Sequence, residues 1–176
     1  MVAILRGINV GGKNKIKMDD LRGAVERSGL KKVRSYIQSG NLVFESGVRS
    51  VPNLQNQIRA TIEADFGLTV PVIVRSGKVF RETIEQNPWC EDPGIDPKHL
   101  HVTFFDQKPA KTKIDAVQQP AGSDDPFRCF ESAAYIVCPN GYSNTKLTNA
   151  FFESKLGVVC TTRNWKTCLA IQALLD

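Results

Sequence analysis

Histidine is scarce in this 176-residue chain, with only His99 and His101, and none of the five cysteines (Cys90, Cys129, Cys138, Cys160, Cys168) forms a C-x-x-C pair. An odd cysteine count without that spacing provides neither a disulfide framework nor a zinc ribbon, so the cysteines read as small buried hydrophobes. The two histidines would share one face of a strand, but no third ligand accompanies them, and no metal site is expected. Nothing calls for a cofactor. Long apolar runs are also missing: no stretch reaches the roughly 18 residues of a membrane span, and the N-terminal run stops at Arg6, too short for a signal-peptide core. A cytoplasmic protein without membrane contact is expected. No nucleophilic triad stands out, because Ser39 has no histidine nearby in sequence. The paired acids Asp19–Asp20 and Asp124–Asp125 fall at helix or turn positions where capping and solvation account for them. No catalytic residue is assigned, and whether the chain is an enzyme stays open.

What is present is an ordinary globular composition. With 41% hydrophobic residues the chain can bury one sizeable core or two small coupled ones. Lys and Arg number 23 against 18 Asp and Glu, giving a net charge of +5 and a pI near 9.0, a lean toward an anionic partner. The basic residues are dispersed except in Arg6 to Lys17, where Lys13, Lys15 and Lys17 alternate. That run reads equally as a binding stripe or a solvated loop.

Periodicity along the chain predicts a repeating order. Val2 to Leu5 is a continuous apolar strand, and Met18, Leu21, Ala24 and Val25 have helical spacing before Gly29. Val33 to Ile37 and Leu42 to Phe44 are strands joined through Gln38 to Asn41, with Gly40 and Asn41 where a tight hairpin needs positive φ. Leu54, Ile58, Ile62 and Phe66 form a helix stripe, Val70 to Arg75 a strand, and Val79 to Gln86 a short helix. Three prolines mark Gln86 to Lys98 as irregular. The second half then predicts a strand at Leu100 to Phe105, a helix at Lys111 to Gln118 and strands at Phe127 to Phe130 and Tyr135 to Cys138. A helix at Leu147 to Leu156, a strand at Val158 to Thr161 and a helix at Trp165 to Leu175 complete it. The expected fold class is therefore α+β: two ferredoxin-like βαββαβ units in tandem, each followed by an extra helix and packed together. The expected division is 1–87, a proline-rich linker 88–98, and 99–176. Strands such as Val2 to Leu5 and Tyr135 to Cys138 are apolar on both faces, so something must cover the second face. The other half of the chain is one candidate and a homodimer the other.

Four segments carry a resemblance: "LRGINVGGKNKIKMDDLR", "VRSYIQSGNLVF", "SNTKLTNAFFESKLGV" and "TTRNWKT". In this order they resemble the signature segments of the bacterial domain-of-unknown-function 1697 family, spanning Val2 to Leu175. The resemblance implies a two-part α+β fold and supplies no activity or catalytic residue. Residues 109–126 match no pattern of that family.

The segment Gly7 to Asn14, "GINVGGKN", is one hydroxyl short of the phosphate-loop pattern G-x-x-x-x-G-K-[ST]. Asn14 stands where that hydroxyl would hold magnesium, and helical spacing begins only near Met18, which misplaces the helix dipole. Nucleoside-triphosphate hydrolysis is not expected. Gly7, Gly11 and Gly12 can instead form a backbone anion nest beside Arg6 and Lys13, or simply turn the chain. Lys146 and Thr148 resemble an anion clamp at a helix start, with Asn144 or Thr145 as a plain N-cap the alternative. Arg163 and Trp165 could pair and stack with a base or phosphate, or Trp165 could sit in the core with Asn164 capping the last helix. An RNA-recognition surface is disfavoured in the first half, where Asn41 and Val43 replace the required rings; Phe104, Phe105 and Tyr135 keep it open in the second.

Topology supplies a geometric expectation. In a βαββαβ unit the loop after the first strand and the hairpin between the second and third emerge at one end, so Arg6 to Lys13 should meet Gln38 to Asn41. In the second half, Lys146 to Thr148 should meet Thr162 to Trp165. Packed sheet to sheet with opposed strands, both ends would combine into one basic site. It would draw on Arg6, Asn9, Gly11, Gly12, Lys13, Gln38, Ser39 and Asn41 from one half, and Lys146, Thr148, Arg163, Asn164 and Trp165 from the other. The leading functional expectation is a binding protein for a phosphate-bearing small molecule or nucleic acid. An enzyme of unknown reaction at the same site and a protein-interaction module are the alternatives.

Overall fold

The computed structural model describes residues 1–176. Its first strand, β1 (Val2–Leu5), is buried at every position. Helix α1 (Met18–Arg27) follows, and Met18, Leu21, Ala24 and Val25 are its buried residues, as their spacing requires. Strands β2 (Lys31–Tyr36) and β3 (Asn41–Glu45) form a hairpin. Helix α2 (Val51–Phe66) begins where the Ser50 side chain accepts the Asn53 N–H, and it ends at left-handed Gly67. β4 (Val72–Arg75) closes the sheet and α3 (Gly77–Glu85) follows. The strand order is β2-β3-β1-β4, antiparallel throughout. Ala3, Leu5, Leu42, Phe44, Val72 and Val74 pack against the buried faces of α1 and α2; each of the leucine, valine and phenylalanine side chains is worth about 1.5–3 kcal/mol when fully buried.

The second sheet repeats this order with β5 (Leu100–Phe105), α4 (Lys111–Asp115), β6 (Phe127–Cys129), β7 (Ala133–Val137), α5 (Asn149–Leu156) and β8 (Cys160–Asn164). Its strands run β6-β7-β5-β8, again antiparallel. Phe105, Ala134, Ile136, Phe152, Leu156 and Cys160 belong to its core. Helix α6 (Trp165–Ala173) ends the chain. Both units thus have the α+β architecture expected, with the split-βαβ strand order.

Several boundaries differ from expectation. α4 stops at Asp115 instead of Gln118, because Gln119 turns its amide onto the Ser123 and Asp125 carbonyls and Pro120 follows. α5 begins at Asn149, where Thr148 caps it by accepting the Phe151 N–H. β8 runs to Asn164 rather than Thr161, because its polar residues pair in register with central β5, from Phe105 opposite Cys160 to His101 opposite Asn164. His99 lies in a 3₁₀ turn (Pro97–His99) and does not share a strand face with His101.

The compact units are Met1–Arg81 with Ala170–Asp176, and Glu82–Leu169, a shift from the expected division at 87 and 98. The C-terminal segment belongs with the first unit because the Arg34 guanidinium donates to the Leu174 carbonyl and Arg81 pairs with Asp176. β1, β5 and β7 are buried at every position. No helix is long and apolar enough to cross a membrane.

Candidate functional site

In the first unit, residues 6–17 carry the chain from β1 to α1 by a small closed loop. Gly11 and Gly12 have φ of 57° and 77°, and Lys13 N–H donates to the Val10 carbonyl at 3.0 Å. Positive φ at both central positions is the pattern of a type I′ turn. The two glycines are therefore accounted for by turning the chain, and open space surrounds both. The phosphate-loop geometry is absent, since α1 starts only at Met18 and Lys17 contributes no side-chain cap.

Asn9 holds this loop in place. Its Nδ2 donates to the carbonyls of Ile16 at 2.9 Å and Gln38 at 2.8 Å, while its Oδ1 accepts the Ile16 N–H at 2.9 Å. Asn14 Nδ2 donates to the Gly7 carbonyl. Asn9 itself sits at φ 55°, a region asparagine tolerates. The Asn9–Gln38 bond and the Leu5 N–H to Gly40 carbonyl bond at 2.8 Å bring the loop and the β2–β3 hairpin together, as topology requires.

Within the hairpin the positive φ values fall on Ile37 (47°) and Gly40 (72°), not on Asn41. Asn41 is the first residue of β3 and buried, donating through Nδ2 to the Tyr36 carbonyl and to Ser39 Oγ. Around this end, Gly7, Val10, Gly11, Gly12, Lys13, Lys15, Lys17, Ile37 and Gln38 are exposed, with Arg6, Asn9 and Ser39 half-buried. Arg6 gives its backbone N–H to the Pro71 carbonyl.

The second unit uses its polar residues differently. Lys146 Nζ donates to the Ala121 carbonyl at 2.6 Å, so it ties down the loop that follows α4. Asn164 Oδ1 accepts the Thr167 N–H at 2.8 Å and caps α6, and Trp165 is buried. Arg163 is buried too, donating to Thr161 Oγ1 and the Thr162 carbonyl at 2.9 Å each. Burial brings its guanidinium pKa down to about 10, which leaves it charged at neutral pH. The aromatic rings of Phe104, Phe105 and Tyr135 are fully buried, which excludes them as a stacking platform for bases.

The expected meeting of the α5 start with the β8 exit occurs through Thr162, inside the expected segment, and Asn149, one residue beyond Thr148. Thr162 Oγ1 donates to Asn149 Oδ1 at 2.8 Å and lies 2.8 Å from Thr103 Oγ1. Because its one proton is spent on Asn149, it accepts from Thr103 and from Tyr142 OH at 3.0 Å. Tyr142 stacks on His101 with ring centroids 5.0 Å apart. His101 Nδ1 lies 3.0 Å from the His99 carbonyl and, facing an acceptor, carries the proton. Burial holds the His101 pKa below its ordinary value. The signal for this network was the threonine pair in otherwise apolar or structural strands, Thr103 in "LHVTFF" and Thr162 in "CTTRN", whose facing register only the sheet supplies.

A separate cleft of about 390 Å³ lies between α4 and β6, with Ile114, Asp115, Val117, Phe127 and Cys129 among its walls. Sequence reasoning assigned it nothing, since it falls in residues 109–126 and the strand beyond.

Comparison with known proteins agrees with the fold. The conserved bacterial protein from Streptococcus pneumoniae shares 25% identity with the chain, and the alignment covers 99% of this chain and 97% of that one with a TM-score of 0.73. No curated protein matches. The family model described as protein of unknown function (DUF1697) matches residues 1–135, which takes in residues 109–126, where no family pattern was expected, and ends before the segments that begin at Ser143 and Thr161. With three quarters of its length matched, from Met1 into β7, the chain belongs to the DUF1697 family.

Proposed function

We propose that the chain binds a phosphate-bearing ligand through the loop end of its first unit, and that a nucleic-acid strand is the form it takes. The carrying observation is that Lys13, Lys15 and Lys17 are all exposed, with Asn14 and Ile16 turned inward between them, on a loop fixed by Asn9. None of the three lysines is in an ion pair. A row of free cations on a protruding, internally bonded segment suits a polyanion better than a small molecule, which needs groups converging on an enclosed cleft. The β-branched Ile37 at φ 47°, half-exposed beside this loop, adds a strained position of the kind that clusters at binding sites. Recognition would run through phosphates, because the rings a stacking platform needs are buried. The reading takes the two units as ferredoxin-like copies related by duplication and places the protein in the cytoplasm, where five cysteines outside any disulfide suit a reducing compartment.

The test is filter binding of single-stranded RNA and DNA over a salt series. Affinity should fall with salt, and Lys13→Ala, Lys15→Ala and Lys17→Ala together should reduce the slope of log K against log salt by about two, at roughly 0.7 for each phosphate no longer neutralised. Absence of salt-sensitive retention by the unmodified protein would remove the nucleic-acid reading. A thermal-shift screen with nucleotides and sugar phosphates decides the small-molecule form.

A further inference from the structure

The loop end of the first unit has an apolar component beside its lysines. Val10 and Ile37 are large hydrophobic residues left 60% and 50% exposed. Val10 opposes Lys13 in the antiparallel bridge that closes the Gly11–Gly12 turn, and directly opposed residues send their side chains to the same side, with Cβ atoms roughly 5 Å apart. An aliphatic group thus stands beside the first lysine of the row. Ile37 precedes Gln38, whose carbonyl takes the Asn9 amide at 2.8 Å, and Asn9 precedes Val10. One hydrogen bond therefore holds the two aliphatic residues on neighbouring loops. Ile37 keeps its β-branched side chain at φ 47°, where asparagine or glycine would relieve the backbone.

The charge around this pair has one sign. Residues 6–17 contain Arg6, Lys13, Lys15 and Lys17 and no acid, the hairpin turn 37–40 is uncharged, and so is the connection 67–71, whose Pro71 carbonyl accepts the Arg6 N–H. The acids that follow the row are Asp19 and Asp20 in the first turn of α1, and Asp19 is paired with Arg22. Asp20 alone stands against three exposed lysines.

We infer that the nucleic acid taken by this loop end is single-stranded, with Lys13, Lys15 and Lys17 on its phosphates and Val10 and Ile37 against the faces of unstacked bases. The inference rests on the phosphate reading above and adds the base to it. An unpaired nucleotide places a charged phosphate and an apolar ring face side by side, as Lys13 and Val10 are placed here. In a duplex the ring faces are stacked inside, and a protein meets phosphates, sugars and groove edges. Two aliphatic side chains would then lose water to polar groups. A polyphosphate offers them no apolar surface at all. A bilayer surface calls for apolar side chains that lead the cations, with Trp, Phe and Leu the usual anchors, whereas the tip between Val10 and Lys13 is Gly11–Gly12, bare of side chains. Aliphatic contact with a ring face reads no hydrogen-bonding edge, so binding is tolerant of base sequence.

The test titrates the full chain, over a salt series, with labelled oligothymidylate, an abasic oligodeoxynucleotide of equal length, a duplex of equal length, and vesicles of phosphatidylserine and phosphatidylcholine. Extrapolated to about 1 M salt, where counterion release no longer contributes, oligothymidylate should keep at least about fivefold higher affinity than the abasic strand or the duplex, from the apolar area the two side chains cover. The double substitution Val10→Ser, Ile37→Asn should erase that difference. Both positions are exposed and asparagine tolerates the backbone at 37, so the fold is kept. Equal affinity of oligothymidylate and the abasic strand would overturn the inference and leave the phosphate reading standing, as would a preference that survives the double substitution. Tighter binding of the vesicles than of any oligomer would overturn it in favour of a membrane surface. If no oligomer binds, both readings fall together.

Discussion

The two units have one strand order but spend their long connection in different places. In the first unit the length lies between β1 and α1, residues 6–17, and α1 returns to β2 through residues 28–30. In the second unit β5 reaches α4 through residues 106–110, and the length follows α4, residues 116–126. Each long connection carries that unit's exposed feature: the lysine row in one, the wall of the α4–β6 cleft in the other. The frame of four antiparallel strands fixes which ends are available, and loop length decides which end is used. The polar residues divide in the same way. Asn9 organises a solvent-facing loop, whereas Thr162 organises a network beneath a helix start.

That contrast can be broken most severely at Gly40. Its φ of 72° and the absence of room for a side chain coincide: an added Cβ would lie 2.8 Å from Leu5 Cβ and 3.2 Å from Ile8 Cβ. Neither neighbour is the end of a flexible chain. Gly40→Ala should cost about 3 kcal/mol in urea unfolding, from left-handed strain and overpacking together. Gly12, with similar φ and open space around it, is the control and should lose only about 1 kcal/mol.

A smaller effect is expected at the two organising residues. Asn9→Ala removes three hydrogen bonds and leaves the Ile16 N–H unpaired, for a loss of about 2 kcal/mol. Hydrogen exchange should quicken at Ile16 while the second sheet stays unchanged. Thr162→Val should cost a similar amount, with the loosening confined to Tyr142, Asn149 and Thr103. Equal loosening of both units by either substitution would show that the networks are not local.

The smallest effect sharpens the comparison through pH. His101 has a folded pKa below its ordinary value of 6.5 because burial disfavours the imidazolium. Below 6.5 the unfolded chain therefore binds more protons at this position, and its contribution to stability, complete above 6.5, is lost as pH falls toward the folded pKa. Melting temperature should drop over that window, and His101→Asn should flatten the drop. An unchanged profile in the variant would assign the acid sensitivity elsewhere.

Sequence periodicity read most elements correctly because their signals are local. Leu54, Ile58 and Ile62 face one side of α2, Gly67 and Gly157 stop helices in left-handed conformation, and Asn164 caps α6. The meeting of the glycine-rich loop with the β2–β3 hairpin was also legible, since it follows from element order alone. The hairpin's own turn was not. Asparagine and glycine favour positive φ, yet Ile37 takes it and Asn41 does not. The register of β2 on β3, which puts Leu42 and Phe44 in the core, outweighs the local preference of a β-branched residue. Lys146 and Arg163 stand in the sequence as candidate anion ligands because charge is visible there and its partners are not. One proves to be a loop tether and the other a buried donor to Thr161 and Thr162.

By itself, then, the amino-acid sequence determined the order of strands and helices, the family and the row of lysines, since each depends on residues close together along the chain. Tertiary structure alone decided which polar groups face solvent and which face one another. Thr103 opposes Thr162 across 59 positions of sequence, and β6 stands at the edge of its sheet, only because strand pairing joins distant segments. A hydrogen bond or an open edge depends on separations of about 3–5 Å in space, a quantity that no local pattern of side chains encodes.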